Sequence, residues 1–171
     1  MEICRKGDEL EISDLDPFLA ELLRQIPASA EAEESSVRQR LFSLPADASE
    51  KEICAEWKLY VEPELRRLFQ TATETVTADL EQLNGKEKSV RNCTLRIPTQ
   101  HADAWLNALN QARLAIAAKC NFTDGELCDH YRSPIGSRRD LSLFQVNFYG
   151  FLQEFILREV SGDGPVERQP D

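Results

Sequence analysis

Residues 2–12 alternate apolar and polar side chains around a Gly-Asp pair, a pattern typical of a short β-hairpin. The apolar side of this hairpin consists of Ile3, Leu10 and Ile12. A second alternating segment, residues 90–97, predicts another strand. We expect it to pair with the hairpin, because two strands alone are marginally stable in water. The pattern therefore predicts a small antiparallel sheet.

Most of the remaining chain has apolar residues three and four positions apart, the spacing of amphipathic helices. A first helix is predicted from the N-cap residue Asp16 to Pro27, and a shorter one over residues 37–44. The longest apolar stripe stays in phase across Pro63, which predicts one helix kinked at that proline. Its members are Trp57, Val61, Leu65, Leu68, Ala72, Val76, Leu80 and Leu83.

Two further helices complete the predicted bundle. One follows Thr99, and the last, over residues 140–159, is apolar nearly all round, as is typical of a helix buried on most sides. Residues 161–171 combine glycine, proline and charge, which predicts a disordered tail. The predicted fold class is mostly α, a helical bundle with a small N-terminal antiparallel β-sheet, formed as one domain by residues 1–160.

Charge and composition exclude several classes of function. Thirty acidic and twenty basic residues give the chain a formal net charge of −10, which disfavours attachment to nucleic-acid phosphates or to anionic lipid. No apolar run approaches the roughly 18 residues of a membrane span, and the N-terminus lacks the apolar core of a secretory signal. We therefore expect a cytoplasmic protein without direct nucleic-acid or membrane contacts.

The five cysteines, in a chain without a secretory signal, indicate free thiols in a reducing compartment. They are Cys4, Cys54, Cys93, Cys120 and Cys128. The densest group of reactive side chains runs from Cys120 to His130, but its spacing matches no standard zinc or EF-hand site. We predict no metal and no cofactor. Two interpretations of this segment then remain. It is either a redox-responsive thiol pair or a helix connection with incidental cysteines, and the second is favoured.

Catalytic motifs are absent from the sequence, including GxSxG, the P-loop, GxGxxG and HExxH. A histidine base would have to be His101 or His130, and His101 is expected to be exposed in the first turn of a helix. Arg113 lies near the apolar face of its helix, where it needs a carboxylate or carbonyl partner. We predict no catalytic residue; an enzyme of unfamiliar type would have to use Arg113 and His130.

Three groups of side chains are candidate contact surfaces. Trp57 and Trp105 lie on apolar stripes, so both are predicted to be core residues. The phenylalanines from Phe144 to Phe155 can line either the core or the seam of a homodimer. An acidic set is a solvated face or a surface that steers a basic partner. It comprises Glu31, Glu33, Glu34, Asp47, Glu50, Glu52 and Glu56.

Several segments resemble the AosR family, in which an actinomycete member is an oxidative-stress regulator. They are Leu41-Phe42 before the Pro45 turn, Trp57 with Leu65-Arg66-Arg67, residues 104–114 and residues 149–154. The resemblance implies a cytoplasmic, non-enzymatic protein in which a cysteine pair near the N-terminus forms a disulfide. In that family pattern the disulfide promotes contact with an extracytoplasmic-function sigma factor and so changes transcription.

The chain departs from the family pattern at this cysteine pair. Cys4 falls in the expected region, but the residue four positions on is Asp8, so the CxxxC is missing. A switch at Cys4 would need Cys93 across the predicted sheet, whereas Cys120 and Cys128 would form a different pair. We predict a non-enzymatic, protein-binding regulatory module without inherited redox control. A sigma factor is the partner implied by the resemblance alone, and a structural homodimer or an unfamiliar enzyme is the alternative.

Overall fold

The N-terminal segment forms the predicted antiparallel sheet. The computed structural model of the protein describes residues 1–31, 34–47, 49–84, 93–128 and 135–161. Strands β1 (Glu2–Lys6) and β2 (Glu9–Leu15) pair as a hairpin, and β3 (Cys93–Pro98) pairs antiparallel with β2, giving the order β1-β2-β3. Gly7 has a φ of +62° in the hairpin turn, a conformation open to a residue without a Cβ. The beginning of the predicted third strand, residues 90–92, lies outside the described residues.

The first helices differ in detail from the prediction. Helix α1 (Pro17–Arg24) begins at the N-cap Asp16, whose side chain accepts a backbone N–H at 2.8 Å. It ends before Pro27, which lies instead in the first turn of the short helix α2 (Ile26–Ser29). A first-turn proline is tolerated because its missing N–H would have no partner within the helix. Helix α3 (Ser35–Leu41) follows.

The longest helical tract passes Pro63, as predicted, and has three parts. Helix α4 (Lys51–Glu56) runs into a π-helical segment (Trp57–Val61), which runs into helix α5 (Glu62–Leu80). Pro63 lies in the first turn of α5, directly after the wider π-helical turns. A proline inside a regular α-helix clashes with the carbonyl of residue i−4, and the wider segment accommodates that conflict.

Only the C-terminal half of the predicted stripe on this tract is buried. Ala72, Val76 and Leu80 lie in the core, whereas Val61 and Leu68 are 37% and 48% exposed. The periodicity identified the apolar face correctly, but the N-terminal half of the tract extends beyond the elements that could cover that face. The tract ends in a 3₁₀ turn (Glu81–Asn84).

Helix α6 (Ala102–Cys120) is the centre of the bundle and follows a 3₁₀ turn (Thr99–His101). It packs against α2, α3, α5 and the long helix α8 (Arg138–Ser161), to which the short helix α7 (Asp124–Cys128) is also packed. The main core cluster joins one face of the sheet to α1, α2, α5, α6 and α8 and includes the fully buried Trp105, whereas α3 packs on α6 through a second, smaller core cluster. The predicted fold class, mostly α with a small antiparallel sheet, is confirmed.

The C-terminal helix is attached to the first helix through a buried phenol. Tyr149 on α8 donates its hydroxyl to the backbone carbonyl of Leu22 at 2.6 Å and accepts a hydrogen bond from Gln145 at 2.7 Å. Burial raises the pKa of Tyr149 to about 12. Among the described helices, none combines the length and apolar character that crossing a membrane requires. Beyond Ser161, the predicted tail lies outside the described residues.

Candidate binding groove

A groove with a volume of about 610 Å³ runs along α5, with the segment formed by α2 and α3 as its other wall and α6 beneath it. Its lining extends from Arg66 on α5 to Glu81, the first residue of the 3₁₀ turn that follows, and at about 1.5 Å per residue this span is roughly 22 Å. The groove is therefore elongated along the helix axis. Its apolar lining comes from Pro27, Ala30, Leu41, Phe42, Phe69 and Ala78.

Two phenylalanines and an arginine build one end of the groove. The rings of Phe42 and Phe69 lie with their centroids 5.7 Å apart. The guanidinium of Arg66 lies over the Phe42 ring, 4.1 Å from its centroid, and its Nε donates to Glu62 at 3.1 Å. Because Glu62 is held against this guanidinium, the positive charge at this end of the groove is largely offset.

The long wall of the groove is hydrogen-bonded within itself. Thr73 and Thr77 on α5 donate their hydroxyls to carbonyls one helical turn earlier, those of Phe69 and Thr73, at 2.9 and 2.7 Å. Such bonds to residue i−4 satisfy the hydroxyl within the helix. This wall therefore needs no polar partner from elsewhere.

The rim of the groove is acidic. Glu31, Glu74 and Glu81 line it and are exposed. Glu74 accepts a hydrogen bond from Gln70 at 2.8 Å, and within the described residues no ion pair neutralises any of the three carboxylates. With Arg66 already paired, the groove presents net negative charge to whatever enters it.

A buried amide lies at the floor. Gln111 on α6 lines the groove although it is only 3% exposed. Its Nε2 has no hydrogen-bond partner among the described residues. Buried donors are almost always paired in native proteins, so an orphan of this kind calls for an explanation.

The family model described as Domain of unknown function (DUF2017) matches residues 6–160. The chain belongs to this family. The matched region contains all the helices of the described residues, apart from Ser161 at the end of α8, and it includes all of the groove lining. No curated protein and no solved structure gives a match.

A second polar cluster in the DUF2017 domain joins α5 to the beginning of α6. Asp79, 7% exposed, accepts a hydrogen bond from Nε1 of Trp105 at 2.8 Å and lies 3.0 Å from Nδ1 of His101. The prediction that His101 is simply exposed was wrong, because its side chain is 32% exposed and paired with this carboxylate. The carboxylate of Asp79 on α5 therefore has one donor on α6 and one in the turn before it. This arrangement suits a structural role in holding α5 against α6.

The sheet does not bring Cys4 and Cys93 together. Cys4 on β1 lies opposite Glu11, whose carboxylate contacts Lys6 and Arg96 on the outer face. Cys93 on β3 packs against the core cluster on the inner face. The two strands flank β2, so their spacing alone separates the cysteines by roughly 10 Å, beyond the Cα separation of about 7 Å that a disulfide allows. The strand order therefore places Cys4 and Cys93 too far apart for the disulfide that a switch at Cys4 would need.

We predict that mild oxidation of the folded domain gives no disulfide between Cys4 and Cys93. The test is peroxide treatment, alkylation of the remaining thiols and peptide mapping, with the same treatment in concentrated urea as a control in which strand geometry is lost. The described cysteines, Cys4, Cys54, Cys93 and Cys120, are free thiols. A Cys4–Cys93 disulfide in the folded monomer would contradict the strand order and register.

The region from Cys120 to His130 begins as a tightly capped helix connection. Thr123 and Glu126 form a capping box, with bonds of 2.9 Å from Thr123 to the carboxylate and 3.3 Å back from the Glu126 N–H. The Thr123 N–H, together with Arg139, lowers the pKa of Glu126 to about 2. His130 and the side chain of Cys128 lie outside the described residues. Within the described part of the domain, no group of three or more residues is arranged to hold a metal.

Arg113 is held by an amide and not by an acid. It donates to Oε1 of Gln153 at 2.5 Å, while its guanidinium packs against Gly150, where a Cβ would lie 3.2 Å from Cζ. Burial lowers the pKa of Arg113. Helix α8 therefore supplies the predicted carbonyl partner to one nitrogen of Arg113 and so connects α6 to α8, while the buried Nε has no partner among the described residues.

The phenylalanine stripe of α8 is mostly committed to the core of the domain. Phe148 and Phe155 are buried, and the Phe144 ring stacks on Phe148 with centroids 6.3 Å apart. Phe151 is exposed. Leu157 and Val160, further along the same helix, are also exposed, and the homodimer stays a prediction.

Proposed function

We propose that this DUF2017 protein is a non-enzymatic regulatory module that acts by binding another protein in the groove along α5. The observation that carries the proposal is the combination of an elongated apolar lining, an acidic rim and the orphan amide of Gln111 at the floor. Long grooves lined by a helix are a common way of recognising a segment of another chain.

Three of the described polar residues that could take part in a reaction already serve the fold. Asp79 is hydrogen-bonded to Trp105 and His101, and Arg113 is hydrogen-bonded to Gln153. A general base must be within reach of a substrate proton, whereas these side chains are occupied by hydrogen bonds within the fold. Their occupation supports a binding role.

More specifically, we propose that the partner is a protein of the transcription machinery. The resemblance to the AosR family supports a sigma factor, and the acidic rim supports a partner surface that carries positive charge. Redox control is left out, because the N-terminal CxxxC is missing from the sequence and Cys4 lies far from Cys93.

Photo-crosslinking in the host cell tests the proposal. A benzoylphenylalanine in place of Gln70, on the groove wall, is expected to give one defined adduct with another protein. The same probe in place of Thr94, exposed on the outer face of the sheet, is the control and should not give that adduct. Equal labelling from both positions, or none from Gln70, would overturn the proposed function.

A further inference from the structure

We propose that the segment bound in the groove is a basic amphipathic helix of the partner protein, carrying one polar side chain within its apolar face to pair with Gln111. This inference rests on the proposed function, because it names the chemistry of the partner for the same groove. Three independent features of the groove carry it: the charge of the rim, the shape of the apolar lining and the orphan amide.

The rim selects for positive charge. Glu74 on α5 and Glu81, the first residue of the 3₁₀ turn that continues it, are seven residues apart, which corresponds to about two helical turns, or roughly 10.5 Å. Lysines or arginines seven residues apart on a second helix have the same spacing, so two ion pairs can form along the groove. Glu31 offers a third carboxylate from the opposite wall. The formal net charge of −10 adds long-range attraction for such a segment and repels nucleic acid.

The apolar lining accepts a helix of about four turns. The roughly 22 Å between Arg66 and Glu81 matches a helix of about 15 residues. A volume of about 610 Å³ accommodates the few apolar side chains that such a helix presents at positions i, i+3 or i+4, and i+7. Phe42 and Phe69 provide the aromatic surface at one end.

Gln111 adds a requirement for one acceptor. Its Nε2 is already buried without a partner in the free chain, so a helix that brings an acceptor to it gains a hydrogen bond that a purely apolar helix cannot provide. The backbone carbonyls within a helix are already used, so the acceptor must be a side chain. We therefore assign a serine, threonine, asparagine or glutamine to the middle of the apolar face of the bound helix.

Designed peptides test the inference on the full-length protein. The basic probe is a fluorescein-labelled amphipathic helix of about 15 residues, with leucines on one face, lysines on the other and one glutamine among the leucines. Its two controls replace the lysines by glutamates or the glutamine by leucine. Fluorescence anisotropy is expected to show binding of the basic probe about tenfold or more tighter than the acidic control, weakening as salt is added.

Variants of the protein locate the binding to the groove. The double variant Glu74→Lys, Glu81→Lys is expected to bind the basic probe at least about tenfold more weakly and to bind the acidic probe more tightly. Glu2→Lys with Glu9→Lys, exposed on the sheet, changes the net charge equally and should leave the difference between probes in place. Gln111→Leu should remove the preference for the glutamine-containing probe. Circular dichroism and thermal melting verify that each variant is folded.

Several outcomes would overturn the inference. They are equal binding of acidic and basic probes, binding of neither, and a loss that the sheet variant reproduces. Concentration-dependent dimerisation in sedimentation velocity, abolished by the groove reversal, would assign the groove to a second copy of this chain. If the Gln70 crosslink forms while the peptides fail, the proposed function stands and this inference falls. If the crosslink also fails, both fall.

Discussion

Replacing Trp105 by alanine is expected to lower the free energy of unfolding by about 3–5 kcal/mol, because the substitution leaves a large cavity in the core. Trp105 is fully buried, and its Nε1 donates to Asp79 at 2.8 Å. The loss of the indole therefore removes core packing and leaves the buried carboxylate with one donor fewer. Urea unfolding followed by far-UV circular dichroism measures the change without relying on tryptophan fluorescence.

The same substitution at Trp57 is the matched control. Trp57 lies in the π-helical segment, is half-buried and belongs to neither core cluster. Its replacement by alanine is expected to cost about 1 kcal/mol or less, as at sites outside the core. Similar losses at both positions would mean that the N-terminal half of the long tract is packed against the domain far more tightly than the structure shows.

The contrast between the two tryptophans shows what the periodicity of apolar residues can predict and what it cannot. Both residues lie on apolar stripes, and the sequence therefore placed both in the core. A stripe specifies which face of a helix is apolar, but not whether another element covers that face along its whole length. Coverage depends on how far neighbouring helices reach, which is a property of the assembled fold.

Structural features that depend on residues close together in the sequence could be predicted. The hairpin turn at Gly7, the N-cap at Asp16 and the capping box between Thr123 and Glu126 all appear in the structure. Each depends on contacts within a few residues, where backbone propensity and one side chain decide the geometry. The match to the sequence pattern is accordingly close.

The face on which Leu15 lies depends on an irregularity of β2 that the alternating pattern did not reveal. The register between β2 and β3 shifts between Ile12 and Leu15, and Asp14 in that stretch has a φ of +52°. A shift of this kind changes which side chains lie together on one face of a sheet. Cys93, by contrast, follows the regular inward alternation of Leu95 and Ile97, and the strand order β1-β2-β3 is what separates it from Cys4.

The groove could not be predicted, because its lining comes from helices far apart in the chain. Glu31 belonged to the acidic set seen in the sequence, whereas Gln111 stood unnoticed in an alanine-rich helix. The run of threonines on α5 was a further local signal, since Thr73 and Thr77 line the groove. A polar residue on a buried face becomes informative only after its neighbours are known.

The pairing of Asp79 with His101 and Trp105 is equally invisible in the sequence, since the carboxylate lies more than twenty residues before its two donors. Asp79 occupies the buried face of α5, between apolar residues that the stripe identified. A carboxylate in that position is stabilised only where hydrogen bonds replace its lost hydration. Its two donors both come from the segment that begins α6, so the contact determines how α6 starts against α5.

Replacing Asp79 by alanine is therefore expected to lower the free energy of unfolding by about 2–3 kcal/mol, mainly because the buried indole N–H of Trp105 loses its acceptor. His101 is partly exposed and regains water, so it adds little to the loss. Asp79→Asn keeps an acceptor oxygen for the indole and should cost about 1 kcal/mol. Urea denaturation of both variants measures the difference. A loss below about 0.5 kcal/mol for Asp79→Ala, a value usual for surface sites, would show that the carboxylate does not hold α5 and α6 together.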